Sequence, residues 1–266
     1  KNAIKAKGES DMVFTVDVGN TNIVLGAFEN DTLKFVSRVA TEASKMEDQY
    51  AIEFMDILRL YGCSPDMFDG AIISTVVPPL LPVLKAALYK LFKCRILVVS
   101  AGIKTGLNIK IDDPAMLGSD LVCAAVGALA KYPTPCIIFD MGTATTISAI
   151  DKNGLFLGGS IFPGVKVSLK ALSSSTAQLP DINMELNGIN PVGKNTIDSM
   201  RSGIILGTAS MIDGMIKKYK DVLGEESSVI ATGGFASSII HYCSEKIIVD
   251  DSILTDGLYL IYKKNI

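Results

Sequence analysis

The sequence FTVDVGNTN at residues 14–22 is repeated in outline by IIFDMGTAT at residues 137–145. Each copy is an apolar run followed by aspartate, one further residue, glycine, and then residues with hydroxyl or amide side chains. Such a run predicts a buried strand, and the glycine allows a tight turn whose N–H groups and threonine hydroxyls face outward. Largely apolar residues follow at 23–26 and 146–150, which predicts a strand hairpin around each turn.

The repetition carries more weight than either copy alone. A single aspartate at a strand end, such as Asp17 or Asp140, can serve only to cap a turn. Two copies with matched flanks predict a paired device that holds a nucleotide's phosphates and their cation between two domains. Carboxylates suit Mg²⁺ or K⁺, which prefer oxygen ligands.

Composition narrows the class of protein. The chain has 266 residues, 48% of them hydrophobic, a mean hydropathy of +0.37 and a net charge of −3. These values predict a globular protein and argue against nucleic acid as the main partner. No apolar run reaches the roughly 18–20 residues of a membrane span, so no membrane partner is expected. The five cysteines include no Cys-x-x-Cys pair, which favours reduced thiols in a cytoplasmic protein.

The order of elements predicts an α/β fold in which the second half repeats the first. Three strands precede alternating helices and strands, which gives a mixed sheet flanked by helices. We expect a tag or disordered arm at residues 1–11, one domain at 12–116 and a second at 117–266. Helices are predicted at 47–61, 80–92, 119–131, 165–174, 200–220 and 252–262.

Three further motifs can be interpreted either as structural elements or as ligand-binding sites. Residues 188–195 resemble a P-loop, the phosphate-binding motif Gly-x-x-x-x-Gly-Lys-Ser/Thr. Its last position, where Ser or Thr must bind Mg²⁺, is Asn195 here, so we do not interpret this stretch as a P-loop. Thr196 after it either caps the next helix or touches a ligand. Gly233 and Gly234 follow a buried strand, where they form either a tight turn or a surface for adenine or ribose.

Asp120 stands at the start of a predicted helix, directly after Gly118 and Ser119. The structural reading makes Ser119 the N-cap and Asp120 an anion favoured by the helix dipole. His241 is the single histidine, which removes most Ser–His–Asp and zinc-site schemes. His241 lies far from either Asp-Gly element in the sequence and is expected to be structural.

Taken in order, these motifs resemble the type III pantothenate kinase family, of the acetate kinase/sugar kinase/Hsp70/actin superfamily. The resemblance extends over residues 12–265. The segments that carry it are DVGNTN at 17–22, GSD at 118–120, DMGTATT at 140–146, GGSIFPG at 158–164, TAQLP at 176–180, GKNT at 193–196 and ATGG at 231–234.

The resemblance implies two similar actin-like, ribonuclease H-like domains with the active site in the cleft between them. It implies an ATP-dependent kinase that converts pantothenate to 4'-phosphopantothenate, the first step of coenzyme A biosynthesis. The expected cofactors are ATP, Mg²⁺ and a monovalent cation, K⁺ or NH₄⁺, and the expected assembly is a homodimer.

The resemblance also assigns residues. Asp140 would bind the monovalent cation, Asp17 would lie near the divalent metal, and Asp120 would be the catalytic base. Binding of ATP is assigned to Asp17, Val18, Gly19, Asn20, Thr21, Asn22, Ile23, Val24, Thr143, Gly233 and Gly234. Binding of pantothenate is assigned to Gly118, Ser119, Asp120, Leu121 and Thr196.

The chain departs from the family's pattern at the acceptor site. The family usually reads Gly-Ala-Asp-Arg, and this chain reads Gly-Ser-Asp-Leu at 118–121. The arginine expected to pair with the pantothenate carboxylate is thus Leu121, and a directional charged contact is lost. Three hypotheses follow: a pantothenate kinase with a rebuilt acid pocket, a kinase of a related hydroxyl compound, or a non-catalytic nucleotide-binding regulator.

Overall fold

The computed structural model describes residues 12–183 and 188–266. The predicted arm at 1–11 lies outside the described residues. Strands and helices alternate along the described chain, which confirms the predicted α/β class. Among the described helices, none is long and apolar enough to cross a membrane.

The chain divides into two compact units that are each discontinuous in sequence. Unit 1 comprises described residues 12–106, 115–127 and 254–266, and unit 2 comprises 107–114, 128–183 and 188–253. This division differs from the predicted single boundary after residue 116. The boundaries differ because most of the helix Ser119–Lys131 and nearly all of the C-terminal helix Ile253–Lys263 belong to unit 1.

Unit 1 is built on a five-stranded mixed sheet with the order β3-β2-β1-β4-β5. Its strands are β1 (Met12–Val18), β2 (Asn22–Glu29), β3 (Thr32–Ala40), β4 (Phe68–Thr75) and β5 (Arg95–Val98). The central strand β1 is antiparallel to β2 and parallel to β4, and every one of its residues is buried. A strand buried on both faces explains the continuous apolar run before Asp17.

Helices cover the unit 1 sheet on both faces. The helices are α1 (Glu47–Leu60), α2 (Leu81–Leu91), α3 (Ser119–Lys131) and α7 (Ile253–Lys263), with 3-10 turns at Pro65–Met67, Pro78–Leu80 and Pro114–Met116. Phe14 packs against Phe54 of α1 on one face, with ring centroids 6.2 Å apart. On the other face α7 crosses α3 so closely that a side chain at Gly257 would collide with the Cys123 carbonyl group.

Unit 2 repeats this plan. Its strands are β6 (Asn108–Ile109), β7 (Cys136–Met141), β8 (Ala144–Ile150), β9 (Leu155–Pro163), β10 (Ser228–Thr232) and β11 (Ile248–Val249). The order β9-β8-β7-β10-β11 has the same strand directions as β3-β2-β1-β4-β5, and β6 adds an extra edge strand beside β9. The structure therefore confirms the predicted duplication of a mixed sheet.

The unit 2 helices are α4 (Val165–Ser175), α5 (Thr196–Leu223) and α6 (Ala236–Ile240). Ile205, Ile212 and Ile216 lie on one side of the long helix α5 and are fully buried in the core that includes β7. Their spacing gives the helix the apolar stripe that predicted it. The six predicted helices are all present, although α5 begins four residues earlier than predicted and the short α6 was not predicted.

Candidate active site

The first Asp-Gly turn joins β1 to β2. Asp17 is the penultimate residue of β1 and is 9% exposed. Beyond the strand, the Gly19 N–H group donates to the Asn22 carbonyl oxygen at 3.0 Å, which closes a tight loop. Asn20, Thr21 and Asn22 are exposed on that loop, while Gly19 is half-buried. The loop thus presents polar groups outward above a buried strand, as a phosphate-binding turn requires.

A residue outside the motif fixes this loop. The Thr41 hydroxyl donates to the Gly19 carbonyl oxygen at 2.7 Å, and the Thr41 N–H group donates to the Thr21 carbonyl oxygen at 2.9 Å. Thr41 directly follows β3, so its position depends on the sheet rather than on the turn. Sequence reasoning missed it because nothing near residue 41 resembles a motif.

Three of the residues assigned to ATP binding lie in the strands that flank the first turn. The side chains of Val18 and Ile23 are fully buried, and Val24 is half-buried. Val18 and Ile23 are opposite each other in the β1–β2 register. These side chains support the turn, so any contribution of Val18 and Ile23 to a nucleotide comes from the backbone.

The second turn joins β7 to β8 in the same way but is shorter. The Gly142 N–H group donates to the Ala144 carbonyl oxygen at 3.0 Å, two residues ahead instead of three. Thr143 is exposed, and its carbonyl oxygen accepts from the Gly164 N–H group at 3.1 Å. Asp140 is half-buried and lies opposite Thr146 in the strand register. The two turns are therefore related but unequal.

The side-chain oxygen atoms of Asp140 and its strand neighbour Thr146 are of the kind that binds a cation. The Thr146 side-chain oxygen is buried and has no hydrogen-bond partner among the described residues, and directly opposed residues project from the same face of a sheet. No cluster of three or more His, Cys, Asp or Glu side chains suited to a metal occurs in the described chain. A carboxylate with a neighbouring neutral oxygen suits Mg²⁺ or K⁺, whose remaining ligands come from water and phosphate oxygens.

Gly233 and Gly234 lie beside the second turn but differ from each other. They follow β10, whose last residue Thr232 is opposite Asp140 on the parallel strand β7. Gly233 has φ +97°, and a Cβ there would lie 2.6 Å from the Met141 carbonyl carbon. At Gly234 a Cβ would meet no described atom within 4 Å. Gly233 is thus needed for backbone packing, and Gly234 is the position open to a ligand.

Asp120 lies in the first turn of α3 in unit 1. Its Oδ1 atom accepts from the Leu121 N–H group at 2.8 Å, and a Cβ at Gly118 would lie 2.5 Å from the same oxygen. Burial raises the pKa of the Asp120 carboxyl above its usual value, against the opposing effect of hydrogen bonds from the Leu121 and Asp120 N–H groups. A carboxylate with a raised pKa is better suited to take a proton near neutral pH.

The structure brings Asp17 and Asp120 to the same part of unit 1. The pKa of the fully buried Cys123 thiol is raised first by burial and then by the charges of these two carboxylates. Cys123 is four positions after Ser119 on α3, so it lies on the same side of the helix. Asp17, expected near the divalent metal, and Asp120, expected to be the base, therefore both lie near enough to affect one buried thiol, which was not expected from the sequence.

Thr196 is the first residue of α5 and is exposed. Asn195 is the N-cap, and its side-chain oxygen accepts from the Asp198 N–H group at 2.9 Å. The reading of Thr196 as a helix cap is therefore wrong. The preceding loop, including Gly193 and Lys194, borders a cavity of about 190 Å³.

Solved structures share the fold. A protein from Campylobacter jejuni described as a conserved Baf family transcriptional activator is 20% identical, with a TM-score of 0.60 over 95% of this chain and 98% of that one. An activator of 2-hydroxyisocaproyl-CoA dehydratase from Clostridium difficile, with bound ADPNP, is 14% identical, with a TM-score of 0.56 over 96% and 95%. A ROK family glucokinase from Streptomyces griseus, in complex with glucose and AMPPNP, is 11% identical, with a TM-score of 0.53 over 96% and 99%.

These likenesses agree with the strand order and establish an actin-like, sugar-kinase-like fold. The sequence itself gives the family. The family model described as type III pantothenate kinase matches residues 13–218, which include both Asp-Gly turns, Asp120 and Thr196. The chain therefore belongs to the type III pantothenate kinase family, a family of ATP-dependent kinases.

Proposed function

We propose that the protein transfers the γ-phosphoryl group of ATP to the hydroxyl group of pantothenate, giving 4'-phosphopantothenate for coenzyme A biosynthesis. The observation that carries the proposal is the position of Asp120. This carboxylate is held at a helix start in a partly buried setting, it shares its surroundings with Asp17, and its pKa is raised.

In the proposed mechanism Asp120 accepts a hydrogen bond from the acceptor hydroxyl, orients it and takes its proton late in the transfer. Phosphoryl transfer passes through a loose transition state, so positioning and charge stabilisation supply most of the catalysis. The bond from the Leu121 N–H group to Oδ1 fixes the orientation of the carboxylate towards the acceptor hydroxyl.

The two Asp-Gly turns would hold the nucleotide. The exposed segment Asn20–Asn22 offers polar groups for phosphate oxygens. Thr143 is exposed, and a Cβ at Gly234 would meet no described atom within 4 Å. Asp17 would bind Mg²⁺, while Asp140 would bind K⁺ or NH₄⁺. When bound, these cations would offset negative charge on the phosphates.

The identity of the phosphoryl acceptor depends on the residue that follows Asp120. Leu121 is half-buried and apolar at the position where the family's motif has arginine. This observation favours, as a second candidate, a related hydroxyl compound without a carboxylate. A regulatory role without catalysis is the third, and the Campylobacter protein's description as a transcriptional activator is consistent with it. The environment of Asp120 supports the two enzymatic candidates.

The decisive assay measures ADP formation by the purified protein with ATP, Mg²⁺ and K⁺. Pantothenate is one acceptor, and pantetheine, which replaces the carboxylate with an amide, is the matched alternative. Turnover with pantothenate is the expected result, and preference for pantetheine would favour the second candidate. No turnover with either acceptor at millimolar concentration would leave only the regulatory role.

The variant Leu121→Arg tests the acceptor pocket. If the pocket is otherwise that of the family, a restored arginine pairs with the acceptor carboxylate and lowers the pantothenate KM by about tenfold or more. Leu121→Met, which keeps the size without the charge, is the control and should leave KM nearly unchanged. An unchanged KM in the arginine variant would mean that another group already binds the carboxylate.

Three accompanying features are part of the same proposal. We propose a homodimer, dependence of turnover on K⁺ or NH₄⁺, and a cytoplasmic location, for which the five free cysteines are suited. Light scattering after gel filtration measures the first. Replacement of K⁺ by Na⁺ at constant ionic strength measures the second and should reduce the rate if Asp140 binds a monovalent cation.

A further inference from the structure

Two serine hydroxyls connect the start of α3 to the end of β4. The Ser74 hydroxyl donates to the Ser119 oxygen at 2.9 Å, and the Ser119 hydroxyl donates onward to the Thr75 carbonyl oxygen at 3.1 Å. Ser74 is fully buried, so this chain of bonds is shielded from competing water. Ser119 is therefore not a helix cap, and its hydroxyl group is bonded to β4.

The pair lies next to both carboxylates of the predicted site. Asp17 and Ser74 are opposite each other on the parallel strands β1 and β4, so their side chains leave the same face of the sheet. Asp120 directly follows Ser119. The buried Cys123 thiol lies one turn later on α3.

We infer that Ser74 and Ser119 are a positioning pair that sets the distance and orientation of the Asp120 carboxylate relative to the first phosphate turn. The inference rests on the proposed function for its kinetic consequence but not for its geometry. The two residues act through Asp120 and do not touch the reacting atoms. Without the pair, the first turn of α3 has fewer fixed bonds to the sheet, and Asp120 becomes more mobile and better hydrated.

The kinetic test uses Ser74→Ala, Ser119→Ala and the double variant, with Ser119→Thr to restore a hydroxyl group. Ser74→Ala, which removes one hydrogen bond, should lower kcat about three- to tenfold, and Ser119→Ala, which removes both, should lower it at least as much, with the KM for ATP unchanged in each. The double variant should be no worse than Ser119→Ala, because Ser119→Ala by itself already removes both hydrogen bonds. Losses that multiply, or an unchanged kcat in Ser119→Ala, would overturn the inference.

A matched control separates positioning from the general cost of removing a buried serine hydroxyl. Ser227 is 9% exposed, and its hydroxyl donates to the Gly224 carbonyl oxygen at 2.6 Å after the end of α5. Ser227→Ala should change stability but leave kcat at the wild-type value. A similar fall in kcat in this variant would show that the effect on Ser119→Ala is not specific.

A measurement that needs no turnover keeps this inference separate from the proposed function. The Leu121 amide resonance, which reports on its bond to Asp120, can be followed by NMR as pH is changed. Loss of either serine should let water reach the carboxylate and move the titration midpoint to lower pH, whereas Ser119→Thr should keep it. Equal midpoints in wild type and Ser119→Ala would refute the pair, while a shifted midpoint in a protein inactive on pantothenate would refute only the proposed function.

Discussion

Asp120→Asn is expected to lower kcat by about 10²–10⁴-fold while leaving the affinity for ATP nearly unchanged. Asparagine keeps the size of the side chain and still accepts from the Leu121 N–H group, but it cannot take the proton of the acceptor hydroxyl. Steady-state kinetics with separate measurement of nucleotide binding distinguishes the two effects. Survival of most of the activity would show that Asp120 is a structural helix-start residue.

The same variant has an expected effect on stability with a definite pH dependence. Because the pKa of Asp120 is raised in the folded protein, stability is lost as the pH rises from the ordinary aspartate pKa towards the folded pKa, and the loss is complete above the folded pKa. Asp120→Asn should therefore raise Tm near pH 7, and the difference should vanish below the ordinary aspartate pKa of about 4. Asp151→Asn is a suitable control, since backbone N–H groups hold the pKa of Asp151 below its usual value and its loss should lower Tm near pH 7.

Gly233→Ala is expected to destabilise the protein by about 2–4 kcal/mol, since it combines an unfavourable positive φ with a steric overlap. The φ angle is +97°, and the new Cβ would lie 2.6–2.7 Å from three backbone atoms of Met141, next to the second Asp-Gly turn. Urea unfolding gives the change directly through the midpoint at an unchanged slope. Distortion of Met141 should also weaken nucleotide binding.

Gly234→Ala is the neighbouring control. A Cβ at Gly234 meets no described atom within 4 Å, so the free energy of unfolding should change by no more than about 0.5 kcal/mol. If a ligand approaches this backbone as proposed, the added methyl group should raise the Kd for ATP although stability is kept. Equal unfolding midpoints for the two alanine variants would contradict the different roles assigned to the two glycines.

Features that are specified by a short stretch of sequence were predicted correctly. The Asp-x-Gly turns and their flanking strands are specified within about ten residues, so the hairpins at Asp17 and Asp140 were predicted correctly. Strand β9 was not predicted, because glycine is depleted in strands and its glycines hide the alternating pattern. Strands β6 and β11 have two residues each and carry no recognisable pattern.

The residues that support the candidate site could not be predicted from short stretches of sequence. Thr41 reaches the first turn from a different strand, and Ser74 meets Ser119 across 45 positions of sequence. No short motif encodes a contact between residues so far apart, because the sheet register and the packing of α3 create it. The sequence left Ser119 either as a helix cap or, by the family resemblance, as a pantothenate-binding residue, whereas in the structure its hydroxyl group is bonded to β4.

The sequence by itself determined the α/β class, the duplicated Asp-Gly turns and the membership of the family, since these depend on residue types at short and fixed spacing. Only the tertiary structure decided that the two turns differ in length, that Gly233 is needed for packing while Gly234 is open, and that Asp17 and Asp120 share one buried environment. The physical reason is that burial, pKa and close backbone approach depend on segments brought together from distant parts of the chain.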